Sequence, residues 1–568
     1  MSMFRRKPRT VFPGYIEFQT CALMTCMFLF SKSTQRIGLH VSIVAVALAL
    51  TVACASDILR AARFVEDARG CDWFGYIRQA GLFRDRGVTG GLDTAISDDR
   101  TLYLIDVAKS LGEPSRSWAH GIAPQCHHYK PSVDRIVLQY PPGTGFVHSW
   151  LPDGTQARWA FVGGAAVVLL ILLGPTVNAR TTTVPLVTAA LGAFFFHGMY
   201  KFVHDRSILP SAVAALVLGW LTVASANAST PPRRMLLIGM LGLASGLSAS
   251  FRLTNVFLVA GPLIVAAFTF VRRPGWPTLA PIAVLGGTVL IGLTPVFMAN
   301  AINAGHPLLT TYDEGDASWP SLTIDVLRGG FAFYFLEHRT SALYVLVPAC
   351  LLVAILIGPP FRTFRGAIQA AAMGMLSLLV SVAYLVTHVI YNSYYLFPPA
   401  AYAAAVAGFC LIACENARVR VQSLLRTALL FRIALTLAVF GTIAMFATQL
   451  SMPLSPHYEG RHSTFAIDSR AVIWANTNAG NITYFLHRQA AALPFLAPPL
   501  QARFVETIAR NGVPQYVLLE DTLMWEALER LRERHKIKFV GTIFGFDTAL
   551  IEPSRASGQE SEAPRQSD

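Results

Sequence analysis

Apolar segments of about 20 residues recur along this chain, each as long as a helix must be to cross a hydrocarbon core of about 30 Å. They fall near residues 37–55, 156–174, 182–200, 207–226, 235–251, 254–271, 278–299, 341–358, 367–391, 395–414 and 427–449. The segment at 235–251 is the weakest, because Gly242, Gly246 and several Ser and Ala dilute it. Lipid offers no partner to open backbone amides, so segments of this kind fold as α-helices. The expected fold class is an α-helical polytopic membrane protein with about eleven transmembrane helices. Composition agrees: 53% of the 568 residues are hydrophobic and 14% charged, with mean hydropathy +0.47, which excludes an ordinary soluble globular chain.

The basic residues set the expected orientation, since short Lys/Arg-rich connections stay cytoplasmic. Arg5, Arg6, Lys7, Arg9, Lys32 and Arg36 precede the first span. Alternate connections then carry Arg180, Arg233 with Arg234, Arg272 with Arg273, Arg362 with Arg365, and Arg418, Arg420 and Arg426, with Glu415 as the acidic exception. The N-terminus is therefore expected in the cytoplasm. The loop at 56–155, a second loop near 300–340 and everything after about residue 450 fall on the exported side. A bacterial inner (plasma) membrane is the expected location. The net charge of +13 is mostly this topological signal, and no nucleic-acid partner is inferred from it.

Four regions follow: a cytoplasmic or interfacial N-terminal segment (1–36), a multispan membrane domain (37–450) with the large exported loop 56–155, a small exported α/β domain (451–553) and a disordered tail (554–568). The apolar run at 18–30 lacks a small-residue cleavage site and reads as interfacial. No fixed-period repeat is present. Within the loop, residues 72–86 have apolar side chains at three- and four-residue spacing, predicting an amphipathic helix lying along the membrane surface. A second helix is predicted at 102–111. Tyr140-Pro141-Pro142-Gly143 should break any helix and redirect the chain into the second span. In the C-terminal region strands are predicted at 471–474, 516–519, 539–544 and 548–551, and helices at 504–510 and 523–534. That region has no cysteine and is expected to fold by its own core.

Asp72, at the start of its predicted helix, by itself suits an N-terminal cap first, and its setting in the first exported loop ahead of Tyr76 and Ala80 suits a general base at the membrane boundary. Lys201, His204, Asp205 and Arg206 cluster after the third span. For Lys201 and Arg206, snorkelling at a helix end and phosphate binding are both open. Arg252 has apolar sequence on both sides and must pair with something; an anionic phosphate or Asp72 would serve. His120, His127, His128 and His148 match no compact zinc spacing, so a divalent metal is permitted but no motif supports one. Asp313, Glu314 and Asp316 read first as an acidic surface turn. Tyr391, Tyr394 and Tyr395 fit either a site lining or an interfacial aromatic belt. Cys71 and Cys126 lie well inside the exported loop, where a disulfide between them and two free thiols are equally compatible with the sequence.

Taken together these elements resemble the integral-membrane glycosyltransferases of the GT-C fold, on the branch of aminoarabinose transferase and the protein O-mannosyltransferases. The resemblance rests on the span layout and the large first loop. Its motifs are Asp72-x-x-x-Tyr76-x-x-x-Ala80, Tyr140-Pro141-Pro142-Gly143, the Gly-rich stretch from Gly246 through Arg252, Thr254 and Asn255, and Tyr394-Tyr395-Leu396-Phe397-Pro398. Most relatives carry a second acidic residue beside the first Asp; here the neighbours are Cys71 and Trp73. The resemblance implies transfer of a sugar from a polyprenyl-phosphate donor to a glycan, lipid or protein acceptor, inverting, with no required cofactor. Asp72 would be the base, Lys201, Arg206 and Arg252 the donor-phosphate ligands, and Tyr76, Tyr140, His204, Asp205 and Tyr395 the lining. A lipid-linked sugar flippase or transporter without covalent chemistry is the alternative, and it predicts ionisable groups near mid-membrane.

Overall fold

The structure, a computed structural model, describes residues 70–552 apart from 97–98, 125, 178–182, 202–205, 313–319, 359–360, 362–363, 389–391 and 417–462. It begins with helices α1 (Gly70–Gly90) and α2 (Asp99–Ser110), an antiparallel hairpin of β1 (His127–Lys130) and β2 (Arg135–Leu138), and the short helix α3 (Pro142–Ser149). The helical body follows as α4 (Gln156–Val177), α5 (Thr183–Lys201), α6 (Ile208–Ala226) and α7 (Pro231–Ala249). A 3₁₀ turn (Leu253–Val259) then leads into α8 (Ala260–Arg272), α9 (Trp276–Gly292), α10 (Thr294–Ala304) and α11 (Ile324–Phe331). The body closes with α12 (Arg339–Ile357), α13 (Arg365–Thr387), a 3₁₀ turn (Ser393–Leu396) and α14 (Phe397–Asn416).

Among the described residues five helical runs are long and apolar enough to cross a membrane: Gln156–Pro175, Ile208–Ala226, Leu253–Arg272, Arg365–Thr387 and Ser393–Glu415. The count is up to seven if the bent pairs Trp276–Gly292 with Thr294–Ala304 and Ile324–Glu337 with Ser341–Ile357 are each one span. The expected spans at 182–200 and 235–251 are the helices α5 and α7, and those at 37–55 and 427–449 lie outside the described residues. Helix α14 is the hub, buried along almost its whole length by α6, α12 and α13. The alanines between Ala400 and Ala407, interrupted by Tyr402 and Val406, let neighbours approach closely, as membrane helices require. Gly219 of α6 meets it where a Cβ would lie 2.5 Å from Ala405.

Residues 463–552 form a five-stranded sheet in the order β4-β3-β5-β7-β6, from β3 (Val472–Trp474), β4 (Gln489–Ala491), β5 (Gln515–Leu518), β6 (Lys536–Ile543) and β7 (Phe546–Glu552). Strand β3 is parallel to β4 and β5, while β7 is antiparallel to β5 and β6. Helices α15 (Ala479–Leu486), α16 (Pro498–Arg510) and α17 (Thr522–Arg532) connect them.

Three expectations need correcting. The apolar stripe of α1 is not given over to lipid: Phe74, Tyr76, Ile77, Ala80 and Phe83 are buried within the protein, because α3 packs along the helix and supplies a better-ordered apolar partner. Tyr140-Pro141-Pro142-Gly143 starts a helix rather than only ending one, with Pro142 in the first helical turn of α3, where its missing amide costs no hydrogen bond. Finally, the C-terminal sheet does not fold by its own core alone. One face packs within itself around Ile473, Ile482 and Leu518. The other shares a continuous core with the first loop, in which Leu104, Trp118 and Ile136 join Trp474, Leu493 and Phe504. Arg503 donates to Glu113 at 2.5 Å and to the Leu111 carbonyl at 2.9 Å, and the Ala492 amide donates to the Gly121 carbonyl at 2.9 Å across that junction.

Candidate functional site

Asp72 lies in the first turn of α1, where a carboxylate gains from the helix dipole. Its Oδ2 accepts a hydrogen bond from the hydroxyl of Tyr394 at 3.0 Å, 322 residues away in sequence. The ring of Tyr394 in turn faces Arg252, whose guanidinium carbon is 4.8 Å from that ring centre and 4.1 Å from the centre of Tyr395. The two tyrosine rings stack at 5.0 Å. Carboxylate and guanidinium thus meet across one phenol.

Arg252 is buried and held from the other side by its Nε, which donates to the Ser207 hydroxyl at 2.9 Å. The preceding residue, Arg206, is fully buried: its guanidinium stands 5.2 Å from the Trp73 ring and donates to Oε1 of Gln156 at 3.2 Å. Asp72 and Trp73 are therefore flanked by Arg252 and Arg206 respectively. The backbone explains the convergence. At Arg252 the chain leaves α7 in an extended conformation (φ −157°) before the 3₁₀ turn. Asn255 pins this break by donating to the Ser211 hydroxyl and the Ser248 carbonyl, both at 3.0 Å.

The same break holds the first loop. The Gly143 amide donates to the Ser250 carbonyl at 2.7 Å, and the Thr144 hydroxyl donates to the Phe251 carbonyl at 3.2 Å. Only a glycine permits this approach, because a Cβ at 143 would lie 2.8 Å from three atoms of Ser250. From the other side Gln79 of α1 accepts from the Gly145 amide at 3.2 Å. The Tyr-Pro-Pro-Gly element is thus the joint between the helix that carries Asp72 and the segment that carries Arg252.

Tyr76 stacks on Tyr140 with ring centres 4.5 Å apart, one turn below Asp72. Burial first, then the Asp72 charge, raises the Tyr140 phenol well above its ordinary range, so it stays protonated. Its hydroxyl is 3.0 Å from Sγ of Cys126, which is disulfide-bonded; the side chain of Cys71 lies outside the described ones. His148 is buried beside Arg206, and burial with that neighbouring charge holds its pKa well below the usual histidine range. It is a neutral group under the site.

Of the other expected residues, Lys201 has its Nζ 5.5 Å from the centre of the Tyr344 ring, which packs edge-on against Phe397. His204 and Asp205 lie outside the described residues, as do Tyr391, Asp313, Glu314 and Asp316. His128 is engaged by Gln139 at 2.7 Å, and among the described residues no three His, Cys, Asp or Glu side chains are grouped to hold a metal ion. Sequence reasoning left Trp73, Ser207 and Gln156 without a role; Tyr394 was expected as a site lining or a member of an aromatic belt, and its bond to Asp72 is what the structure adds.

No protein-family model matches this chain, and no curated protein matches it. Among solved structures it is similar to ArnT from Cupriavidus metallidurans in the apo state, with TM-score 0.46 and 12% identity over 91% of this chain and 98% of that one. It is similar to the same protein bound to undecaprenyl phosphate, with TM-score 0.46 and 14% identity over 90% and 98%. It is also similar to an oligosaccharyltransferase of Archaeoglobus fulgidus in complex with zinc and sulfate, with TM-score 0.39 and 14% identity over 80% and 69%.

Proposed function

We propose that this chain is a membrane glycosyltransferase that moves a sugar from a polyprenyl-phosphate donor to an acceptor hydroxyl or amine at the exported membrane face, with Asp72 as general base. The observation that carries the reading is the contact of Asp72 and Arg252 through Tyr394. It brings a proton acceptor and a buried cation together where α6 begins and α7 ends. A lipid-linked sugar phosphate keeps its chain in the bilayer and its head at the interface, so its reacting carbon sits at the ends of spans.

In this reading Asp72 takes the proton of the acceptor as the acceptor's heteroatom bonds to the anomeric carbon. The bond from that carbon to the phosphate oxygen breaks on the opposite face, which inverts the sugar. The electron pair leaves with the polyprenyl phosphate, and Arg252 and Arg206 stabilise the charge gathering there. Tyr394 positions the carboxylate. Tyr395 and Tyr76 with Tyr140 support the walls, and a bridge from Cys71 to Cys126 would fix α1 against the hairpin. Lys201 is a third donor-phosphate ligand in this reading. The acceptor class is a glycan, a lipid or a protein, and the chemistry requires no cofactor.

The test incubates purified protein with radiolabelled polyprenyl-phosphate sugars in the presence of a membrane extract as acceptor source. Transfer by the wild type and a loss of about 10²-fold or more in Asp72→Asn, with its unfolding transition intact, is the expected result. Normal turnover by that variant removes the assignment of the base. Protected movement of label across vesicles without transfer supports a flippase instead.

A further inference from the structure

The helices that carry the Asp72 site at one end line a second cleft at the other. Its cavity volume is about 110 Å³, below the roughly 300–1,000 Å³ of sites that enclose a whole small ligand and of a size to seat a single polar head group. It is walled by the end of α6, the first half of α7, α8 from Pro262 to Thr269, the first half of α9 and the N-terminal part of α13. Arg206 and Ser207 precede α6 and Arg252 follows α7, so the 19 residues of α6 separate the two sites. At 1.5 Å per residue that is about 28 Å, close to the thickness of a hydrocarbon core.

The lining divides by chemistry. Ile238 and Leu285 are part of the apolar wall, while Arg234 and Gln369 bring hydrogen-bond donors to the rim. The hydroxyls of Thr269 and Thr278, also in the lining, already donate to their own backbone. Arg234 has no ion pair or side-chain hydrogen bond among the described residues, and neither does the Gln369 amide. Arg233, Arg272 and Arg273 stand at the same helix ends and have no ion pair among the described residues, so the described residues give the mouth positive charge. Beside it the exposed side chains of Phe268, Val271 and Trp276 form an apolar surface with a ring of the type that settles at headgroup level. The mouth thus opens at a lipid boundary.

We infer that this cleft binds the phosphate head of an anionic membrane phospholipid, with Arg234 and Gln369 as its donors and the apolar wall covering the first carbons of its chains. Charge complementarity selects an anion, and the lipid-facing surround selects one carrying acyl chains. The site is independent of sugar transfer, and binding alone tests it.

Full-length protein in detergent is titrated with dioleoylphosphatidylglycerol, dioleoylphosphatidylcholine or glycerol 3-phosphate while its unfolding midpoint is followed. The anionic lipid should raise the midpoint saturably, and the other two should do so far less. Arg234→Gln, which removes the charge-assisted donor, and Ala266→Trp, which fills the cleft, should each weaken apparent affinity about tenfold. Arg233→Gln, a neighbouring charge outside the cleft, should change it by less than about threefold. If Ala266→Trp does not unfold cooperatively, Arg234→Gln decides alone. Equal effects of the two lipids, an equal effect of glycerol 3-phosphate, or equal losses in Arg233→Gln and Arg234→Gln would overturn the site.

Discussion

Replacing Gly143 by alanine tests whether the joint between the first loop and the α7 break sets the geometry of the candidate site. The added Cβ would lie 2.8 Å from the carbonyl carbon, the carbonyl oxygen and the Cβ of Ser250. Carbon atoms in contact rest about 3.5–4.0 Å apart, so one backbone must retreat by roughly 0.7 Å or more. Neither can move alone, because Gly143 is bonded to Ser250 at 2.7 Å and Arg252 follows two residues on. The strain is of the order of 1–3 kcal/mol, as for other overpacked sites. Spread over a chain of this size, that lowers the unfolding midpoint by no more than about 5 °C. Its effect on chemistry should be larger, since a displacement of about 1 Å in a positioned group costs about 10²-fold in rate. Gly143→Ala should therefore unfold cooperatively yet transfer sugar about 10- to 100-fold more slowly. Gly81→Ala is the control: it lies on α1, nothing stands within 4 Å of its Cβ, and it should leave transfer unchanged. Wild-type turnover by Gly143→Ala, with the midpoint lowered as described, would refute the link between this joint and the site.

Tyr394→Phe removes one hydrogen bond to a carboxylate, worth about 1.5–3 kcal/mol, and should reduce kcat/KM about 10- to 100-fold while the fold persists; unchanged kinetics would detach Tyr394 from the site. His148 has a depressed pKa in the folded state, so an unfolded chain binds the proton first. Its contribution to stability is full above about pH 6.5 and is lost as pH falls below that, at up to about 1.4 kcal/mol per pH unit. His148→Gln should flatten that part of the profile of unfolding midpoint against pH, and a profile that keeps its slope would place the titration elsewhere. Leu104→Ala, in the core shared by the first loop and the C-terminal sheet, should cost about 2–5 kcal/mol and expose residues 463–552 to protease; unaltered digestion there would argue against a shared core.

The span pattern and the helix bearing Asp72 were legible because both depend on period and length, which a sequence displays directly. Arg252 was legible for a related reason: a charge inside apolar sequence must find a partner. For Tyr394 the choice between site lining and aromatic belt stayed open, since its bond to Asp72 closes a gap of 322 residues and aromatic rings at span ends are expected in any membrane protein. Lys201 and Arg206 read alike in sequence, but burial separates them, with one over Trp73 and the other over Tyr344. The hairpin β1–β2 and strand β4 went unseen because His127–Lys130 and Gln489–Ala491 lack the apolar run that marks β3, and β2 has only β1 as its sheet partner. The glycine at 143 looked like a turn former, whereas what it supplies is room.

The core shared between residues near 104–136 and 472–531 has a consequence for how the molecule comes into being. A ribosome finishes Ile136 about 335 residues before it reaches Val472, a delay on the order of 20 to 70 s at about 5–20 residues per second. Throughout that interval Leu104, Trp118 and Ile136 have no counterpart, and the nascent first loop must rest on lipid, a chaperone or itself. Completion of the last-synthesised segment is then the event that locks the earliest one in place, so the chain acquires its working geometry only after it leaves the ribosome.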